Sequence, residues 1–332
     1  MNIPRPLAIA LWPVSRAYGR CVSFRKSLYA KGLLKAKRLQ GTVISVGNLT
    51  AGGTGKTPMV LWLAEKFIAE GKKVAILSRG YRGSDGTSDE VELLRHRLRD
   101  RVRFGVGPNR YESGRRLESQ HEIDVFLLDD GFQHLQLARD LDIVMLDGSR
   151  KLKDEWLLPA GLLREPIAAC RRADILVVSR KFELPSIEVR DAHKFCIFCA
   201  QTRLLGFRRL ESKDEPRYVT ETGPGPFFAF CGIGNPDAFF ADLARWHVPV
   251  VQQKAFADHH KYSARDVLRL QRDAELSKAT AFVTTEKDAA NLPASAFRKT
   301  VWVAVIDLVF TAESELTAAI DGILKTRRGV AA

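Results

Sequence analysis

The chain contains a glycine-rich loop that reads Gly47-Asn48-Leu49-Thr50-Ala51-Gly52-Gly53-Thr54-Gly55-Lys56-Thr57. A short segment rich in β-branched residues, 42–46, precedes this loop, and an amphipathic segment that begins with Pro58 follows it. Strand, glycine-rich loop, Gly-Lys-Thr and helix together form the context that a phosphate-binding loop requires. In such a loop, backbone N–H groups and the positive end of the helix bind phosphate oxygens. We therefore predict a nucleotide-binding site made of Thr50, Ala51, Gly52, Gly53, Thr54, Gly55, Lys56 and Thr57.

Two residues of this loop carry specific chemistry, because Lys56 is placed to reach the β- and γ-phosphates and the Thr57 hydroxyl to hold Mg²⁺. The loop departs from the strict pattern G-x-x-x-x-G-K-[ST], since Thr50 stands where glycine is usual. It resembles instead the variant loop of partitioning and Fe–S-type ATPases, in which a leading lysine acts across a dimer. Ala51 stands at the position of that lysine, which leaves the nucleotide site intact and disfavours a dimer-switch mechanism.

Four further segments predict the strands of a parallel sheet, at residues 73–77, 123–128, 141–146 and 174–178. They are mostly continuous apolar runs, as expected for strands that are covered on both faces. We therefore predict an α/β fold, with a P-loop NTPase-like core over residues 41–215 whose largely parallel sheet is covered by helices. Ligands in such sheets bind beyond the carboxyl ends of the strands, so the residues at those ends are the candidate site.

Asp129 and Asp130 come directly after segment 123–128. Paired carboxylates beside a phosphate-binding loop are typical of the Mg²⁺ half of a nucleotide site. Adjacent carboxylates repel each other, so one of the two needs a nearby cation in order to ionise. One of the two can hold the metal directly or through water, and the alternative interpretation is a pair of solvated loop carboxylates.

Charged residues also follow segment 73–77. Arg79 and Arg82 either neutralise an anionic substrate or lie solvated at the surface. Asp89 is a candidate base that takes the proton of an attacking hydroxyl. His259, in the sequence Asp258-His259-His260, could pair with such a carboxylate and tune its basicity.

A second, smaller α/β domain is predicted over residues 222–310, after a linker that contains Gly223-Pro224-Gly225-Pro226. Strand and helix patterns alternate again within it. Ser263 is expected to cap one helix and Thr285 another, and capping is the favoured interpretation of the segment from Thr284 to Asp288. Residues 311–332 are expected to form a C-terminal helix and tail. The second domain is predicted to contribute to the active-site cleft.

The first forty residues contain nine lysines and arginines and no acidic residue. Apolar and aromatic side chains recur at helical spacing, and Pro13 is expected to divide the segment into two short helices. A secretory signal and an amphipathic helix that packs on the core are two interpretations. We favour a third, an interfacial helix on an anionic membrane surface, because it accounts for the cations together with Trp12 and Tyr18.

The whole chain has 332 residues and a net charge of +13, with 52 lysines and arginines against 39 acidic residues. This charge predicts an anionic partner, which could be nucleic acid, an acidic lipid surface or a phosphorylated substrate. No recognisable nucleic-acid module is present, and no apolar run approaches the length of a membrane-spanning helix. The five scattered cysteines do not indicate a disulfide framework, and strand packing is the favoured interpretation of Cys196 and Cys199 over a zinc site.

Several motifs together resemble the tetraacyldisaccharide 4′-kinase family of lipid A synthesis. The motifs, in chain order, are residues 46–50 running into 52–58, residues 78–82, Ser88-Asp89-Glu90, Asp129-Asp130-Gly131-Phe132-Gln133-His134, Gly161-Leu162-Leu163-Arg164-Glu165, Gly232-Ile233-Gly234-Asn235-Pro236, Asp258-His259-His260 and residues 284–288. Within this family Thr50 and Ala51 are ordinary.

The resemblance implies a monotopic enzyme on the cytoplasmic face of the inner membrane. Such an enzyme transfers the γ-phosphate of ATP to the 4′-hydroxyl of a tetraacyldisaccharide 1-phosphate, giving lipid IVA, with Mg²⁺ as cofactor. A P-loop regulatory ATPase or GTPase acting at a membrane is the alternative function. The expected partners are the lipid disaccharide and the anionic membrane, and not nucleic acid.

The resemblance also implies roles for individual residues. Asp89 matches the catalytic base and His259 its partner, although the neighbouring His260 leaves the register open. The implied metal residues are Thr57, Glu90, Asp129, Asp130 and Glu165. The implied substrate-binding residues are Arg79, Arg110, Gln133 and Arg164.

Overall fold

The computed structural model describes residues 5–80, 88–149, 155–180, 195–210, 225–293 and 296–331. Within them the chain forms two units. The first takes in the described residues of Met1–Thr87, Arg97–Gln201 and Leu308–Ala332, and the second those of Ser88–His96 and Thr202–Asp307. Residues 88–96 lie inside the predicted 41–215 core in sequence but cluster with the second unit. The predicted boundary at 215–222, the linker residues 223–224 and Arg82 lie outside the described residues.

The first unit is built on a parallel sheet. Its strands are β1 (Thr42–Asn48), β2 (Val74–Ser78), β3 (Val102–Val106), β4 (Val125–Asp129), β5 (Leu141–Asp147), β6 (Ile175–Ser179) and β7 (Cys196–Arg209), the last of which runs on into the second unit after Gln201. Their order is β3-β2-β4-β1-β5-β6-β7, and the neighbouring strands pair in parallel. Every residue of β1, β4, β5 and β6 is buried. The prediction of a largely parallel, covered sheet is confirmed, and Cys199 is a buried residue of β7.

Helices cover this sheet. Those that pack on its strands are α2 (Lys56–Ala69), α4 (Arg110–Gln120) and α8 (Glu313–Ala331). The first unit also contains α1 (Arg5–Ala30) and the end of α3 (Asp89–Leu98). The buried face of α2 comprises Met59, Val60, Leu61, Leu63, Ala64 and Phe67, which repeat at the helical period. The C-terminal helix α8 contacts α2, because Trp62 Nε1 donates to Glu313 Oε1 at 3.1 Å and Lys66 Nζ to Asp321 Oδ1 at 2.9 Å.

Helix α1 is continuous from Arg5 to Ala30 with Pro13 inside it, so the expectation of two short helices is wrong. Proline removes one backbone donor and crowds one carbonyl, and this local loss does not end a helix that is held elsewhere. The anchor is Ser15, which is buried, donates to Leu157 O at 2.9 Å and accepts from Ala160 N at 3.0 Å. No helix in the described ranges combines the length and hydropathy needed to cross a membrane.

The second unit repeats the α/β alternation on a smaller scale. Its elements are β8 (Phe227–Cys231), α5 (Pro236–Arg245), β9 (Val250–Ala255), α6 (Ala264–Leu276), β10 (Ala281–Thr285), α7 (Glu286–Ala289) and β11 (Val301–Phe310) up to Asp307, with the start of α3 and the end of β7. The strand order is β7-β11-β10-β8-β9, and β10 pairs in parallel with both β8 and β11. Its core contains the aromatic rings of Phe228, Phe230, Tyr262, Phe282 and Phe297.

Both predicted helix caps are present in the second unit. Ser263 forms a capping box with Asp266 at the start of α6. Thr285 accepts a hydrogen bond from Asp288 N at the start of α7. The capping interpretation of this segment is confirmed. It fixes the direction in which the side chains of the short helix α7 leave the backbone.

Candidate active site

The glycine-rich loop connects β1 to α2 in the first unit. Gly55 has φ +90°, a left-handed conformation that favours glycine, and it directly precedes the first residue of α2. The side chain of Asn48 donates to Thr54 Oγ1 at 3.0 Å, which holds the two ends of the loop together. Ala51 N donates to Leu162 O at 2.7 Å, so the segment around residue 162 supports the loop from outside. The backbone is thereby fixed where phosphate would bind at the helix start.

Lys56 lies beside one of the two predicted metal carboxylates. Its Nζ is 3.6 Å from Asp130 Oδ1, and Arg164 Nη1 donates to both oxygens of Asp130 at 2.8 and 2.9 Å. Burial works to raise the pKa of Asp130, but the charges of Lys56 and Arg164 outweigh it and lower the pKa to about 2. The sequence analysis predicted that one of the adjacent carboxylates needs a nearby cation. Lys56 and Arg164 are those cations. The side chain of Asp130 is 37% exposed, so solvent still reaches this cluster.

Asp129 ends strand β4 and is buried. Its backbone carbonyl accepts from Arg110 Nη2 at 3.4 Å, and Arg110 is itself buried. Burial lowers the pKa of Arg110, although the charges of Asp130 and Asp129 act to raise it. Burial and the charge of Arg110 also lower the pKa of His134 to about 4, so its imidazole is neutral at pH 7. Arg79 is exposed at the end of β2, and its charge acts on both Arg110 and His134.

Glu165, another predicted metal residue, is already paired with two cations. Arg172 donates to its two oxygens at 2.7 and 3.1 Å, and Lys26 Nζ lies 3.0 Å from Oε2. Burial tends to raise the pKa of Glu165, and the hydrogen bonds and charges of Arg172 and Lys26 lower it on balance. A metal ion at this carboxylate would have to displace these partners. Sequence reasoning missed Lys26 and Arg172, because both are recognisable only through their spatial neighbours.

Helix α1 reaches the same end of the sheet through two more contacts. Tyr18 Oη donates to the backbone carbonyl of Arg164 at 3.0 Å, and Arg25 donates to Gln133 O at 3.3 Å. The side chain of Gln133 donates to Asn48 O at 3.0 Å. The predicted substrate-binding residues Gln133 and Arg164 are therefore held by α1 as well as by the sheet.

The donor set at this end of the sheet fits a magnesium nucleotide. Hydroxyl and carboxylate oxygens are the ligands that Mg²⁺ prefers, and Thr57, Asp129 and Asp130 offer them. Buried polar atoms also lack hydrogen-bond partners among the described residues, including Gln133 Oε1 and His134 Nε2. Such atoms are expected where a polar ligand completes a site.

The second unit brings Asp89 and His259 together. His259 Nδ1 lies 2.9 Å from Asp89 Oδ1 and 3.0 Å from Oδ2. Burial acts to raise the pKa of Asp89, but the hydrogen bond of His259 and the charge of Lys287 lower it overall. The same hydrogen bond raises the pKa of His259. His260 instead lies 3.2 Å from Asp266 and stacks on Phe256, so the histidine that contacts Asp89 is His259.

Lys287 was missed as a site residue. Its Nζ lies 3.3 Å from Glu90, 3.3 Å from Asp258 and 3.8 Å from Asp89. It is also 3.4 Å from His259 Nε2. Burial works against its charge, but the three carboxylates outweigh that effect and raise the pKa of Lys287. The capping motif was the one clue in the sequence. Helix capping accounts for Thr285 and Asp288, but it gives no reason for a lysine at position 287.

The predicted metal residues are divided between the two units. Thr57, Asp129, Asp130 and Glu165 belong to the first unit, whereas Glu90 belongs to the second. There the ligand atoms of Asp89, Glu90 and His259 lie within 4.8 Å of one another, a spacing that could suit a metal ion. The ammonium group of Lys287 already lies beside both carboxylates.

Comparisons with known proteins agree over almost the whole chain. A family model described as tetraacyldisaccharide-1-P 4′-kinase matches residues 7–325. The tetraacyldisaccharide 4′-kinase of Geobacter metallireducens is 37% identical over 337 residues, covering 96% of this chain and 99% of the relative. That of Shewanella halifaxensis is 34% identical and covers 95% and 94%. The crystal structure of LpxK from Aquifex aeolicus in complex with ATP has a TM-score of 0.75 and 31% identity, covering 96% of this chain and 99% of the other.

Proposed function

The chain belongs to the tetraacyldisaccharide-1-P 4′-kinase family, and we propose that it transfers the γ-phosphate of ATP to the 4′-hydroxyl of a tetraacyldisaccharide 1-phosphate, giving lipid IVA. The observation that carries the proposal is the convergence of Lys56, Asp130 and Arg164 at the start of α2. Phosphoryl transfer depends on positioning and charge neutralisation, and this cluster supplies both beside a phosphate-binding loop.

In the proposed reaction the loop and Lys56 hold the β- and γ-phosphates of ATP. Thr57 and Asp129 would hold Mg²⁺, which would neutralise charge on those phosphates. Asp130 would join them by giving up one of its two hydrogen bonds from Arg164. Arg164 and Arg110 contact the phosphates as additional cations, with Arg79 and Gln133 as further substrate contacts. Glu165 acts by holding Arg172 and Lys26 in place, because both of its oxygens are engaged by them.

Asp89 is proposed as the base. Its carboxylate takes the proton of the 4′-hydroxyl while the sugar oxygen bonds to the γ-phosphorus and the bond to the β,γ-bridging oxygen breaks, releasing ADP. His259 donates from Nδ1 to the same carboxylate, which orients it and keeps it ionised. Glu90 belongs to this group of charges in our proposal, since it shares Lys287 with Asp89.

Helix α1 is proposed to lie on the cytoplasmic face of the inner membrane as a peripheral anchor. Leu7, Ile9 and Trp12 are about half or more exposed, at 51%, 63% and 48%. The guanidinium of Arg16 lies over the Trp12 ring at 5.1 Å, which places a cation next to an aromatic ring. Aromatic, aliphatic and basic side chains on one helix are typical of binding at an anionic interface. An acylated substrate remains in the bilayer, so the enzyme must reach it there.

A direct assay tests the proposal. Labelled ATP, Mg²⁺ and the disaccharide 1-phosphate are incubated with the full chain, and we expect a lipid that carries two phosphates. Lys56→Ala serves as the matched inactive variant. Phosphate release from ATP without any labelled lipid, at a rate independent of the disaccharide, would contradict the proposal and favour a nucleotide-driven switch protein.

A further inference from the structure

The segment from Thr285 to Asp288 does more than cap a helix. It carries Lys287 and Asp288 on consecutive positions of α7, and both side chains contact the surroundings of His259. Lys287 reaches the charged side chains, and Asp288 reaches the backbone. All of these residues belong to the second unit.

Asp288 holds the backbone beside His259. It is 2% exposed, accepts from Gly232 N at 2.8 Å and Tyr262 Oη at 2.8 Å, and accepts from Thr285 Oγ1 at 2.6 Å. The carbonyl of Gly232 in turn accepts from His259 N at 3.0 Å. One buried carboxylate therefore fixes both α7 and the residue that receives the backbone hydrogen bond of His259.

Gly232 allows this close approach. A Cβ at that position would lie 3.0 Å from Ala257 O and 3.1 Å from Asp288 Oδ1, which is tighter than ordinary contact. His259 itself has φ +60°, an uncommon conformation for a residue other than glycine. Such a conformation persists only where neighbouring contacts hold it, and the bond to Gly232 is one of these.

Lys287 contacts the side chains of the pair formed by Asp89 and His259. Its ammonium lies 3.8 Å from Asp89 Oδ2 and 3.4 Å from His259 Nε2, so it contacts both members of the pair. Its contacts with Glu90 and Asp258, each at 3.3 Å, compensate two further carboxylates that would otherwise repel Asp89. Because the ammonium group of Lys287 donates to Nε2, a neutral His259 carries its proton on Nδ1. This proton faces Asp89.

We propose that Lys287 is a positioning residue for the reaction, which acts through Asp89 and His259 and is itself held by the cap of Thr285 and the buried Asp288. The proposal rests on the proposed function, because it assumes that Asp89 is the base. Lys287 offers no net positive site for the substrate, since three carboxylates surround it. Its effect is expected on the chemical step rather than on ATP binding.

The experiment measures kcat and the KM for ATP on the full chain with Mg²⁺ and the lipid disaccharide, for Lys287→Met, Asp89→Asn and the double variant. We expect Lys287→Met to lower kcat about tenfold with the KM for ATP within about twofold, and to cause no further loss in the Asp89→Asn background. Lys287→Arg, which keeps the charge, is expected to restore most of kcat. Lys278→Met, at an exposed lysine of the same unit, is the control and should match wild type.

Other outcomes overturn the proposal in distinguishable ways. If Asp89→Asn lowers kcat strongly but measurably, and Lys287→Met either retains wild-type kcat or lowers kcat by the same factor in both backgrounds, the role of Lys287 is wrong and the proposed base stands. If Asp89→Asn retains wild-type kcat, both are wrong.

Should Lys287→Met not fold, Thr285→Ala removes the cap of α7 without touching the pair. It is expected to lower kcat several-fold, whereas Ser263→Ala, which removes the corresponding cap of α6, leaves kcat unchanged. Equal kcat in these two cap variants would also overturn the proposal.

Discussion

Lys26 of helix α1 lies 3.0 Å from Glu165, a carboxylate whose side chain is only 3% exposed. The neighbouring residue Arg164 receives a hydrogen bond from Tyr18 of the same helix and holds Asp130 through its guanidinium. The helix proposed to contact the membrane is thus bonded to residues of the proposed phosphate site. Its removal would disturb that site, so α1 cannot be treated as a detachable anchor.

The two cations at Glu165 are expected to contribute unequally to stability. Arg172 donates two hydrogen bonds to Glu165 and one to Phe132 O, whereas Lys26 makes one partly exposed ion pair. We expect Arg172→Met to lower the free energy of unfolding of the first unit by about 3 kcal/mol, and Lys26→Met by about 1 kcal/mol. Hydrogen exchange of the β1 amides measures this, because β1 is buried in that unit. Equal losses in the two variants would contradict the expectation.

The Asp130 carboxylate predicts a specific pH dependence. Its pKa is about 2 in the folded protein, below the ordinary value of about 3.9, because Lys56 and Arg164 overcome the effect of burial. A depressed pKa contributes stability above the unfolded value, and that contribution is lost as the pH falls from about 4 toward 2. Since the side chain is 37% exposed, solvent screening reduces the contribution to about 1 kcal/mol.

The comparison of wild type with Asp130→Asn between pH 7 and pH 2 measures this contribution. Wild type is expected to be the more stable protein at pH 7, and the difference should shrink below pH 4. Glu112→Gln serves as a control, because that carboxylate is exposed and pairs with the exposed Lys37 in the same unit. A difference that stays constant down to pH 2 would show that Asp130 is not held ionised by these cations.

In the first unit the sequence predicts the buried strands well and the edge strand poorly. Strands β4, β5 and β6 are continuous apolar runs, and each is buried along its whole length, so composition alone locates them. Strand β3 was not predicted, because it lies at the edge of the sheet and carries the exposed Arg103 in a short run. The prediction of a break at Pro13 failed for a different reason. The contacts that hold α1 come from residues 157 and 160, which are distant in sequence.

The site residues also fall into those that the sequence predicts and those that it does not. Lys56 and Asp130 follow from the loop motif and from the rule that ligands collect at strand ends, and the structure brings them together. Lys287 and Arg172 could not be found in this way, because their role is to pair with carboxylates and no sequence motif links the partners. Lys287 pairs with Glu90, which is distant in sequence, and Arg172 pairs with Glu165. Local patterns report backbone geometry, whereas charge compensation depends on tertiary neighbours.

The proposed base makes a kinetic prediction. Asp89→Ala is expected to lower kcat by about 10²- to 10⁴-fold, the range for loss of a general base, while ATP affinity stays within a few-fold. The reason is that Asp89 is the proposed proton acceptor and is not a residue of the phosphate-binding loop at 47–57. Steady-state kinetics with an independent ATP-binding measurement checks both values. Loss of ATP binding instead would make Asp89 a structural residue.

The exposed apolar face of α1 can be tested without disturbing its anchors. Leu7, Ile9 and Trp12 are exposed, whereas Ser15, Tyr18 and Lys26 hold the helix to the protein. We expect the triple variant Leu7→Ser, Ile9→Ser, Trp12→Ser to lose at least about tenfold in binding to anionic vesicles, because burial of apolar area and attraction to the lipid charge act together at an interface. Vesicle co-sedimentation measures this.

Activity separates membrane binding from damage to the site. The same triple variant should phosphorylate disaccharide embedded in vesicles much more slowly than wild type, and should recover on substrate presented in detergent micelles, since its catalytic residues are unchanged. Leu268→Ser and Leu276→Ser, at exposed positions of α6, provide a matched loss of surface apolar area and should bind vesicles like wild type. An equal loss on vesicles and micelles would mean that the substitutions act on the site through α1 and not on membrane binding. Vesicle binding at wild-type strength would remove α1 as the anchor altogether.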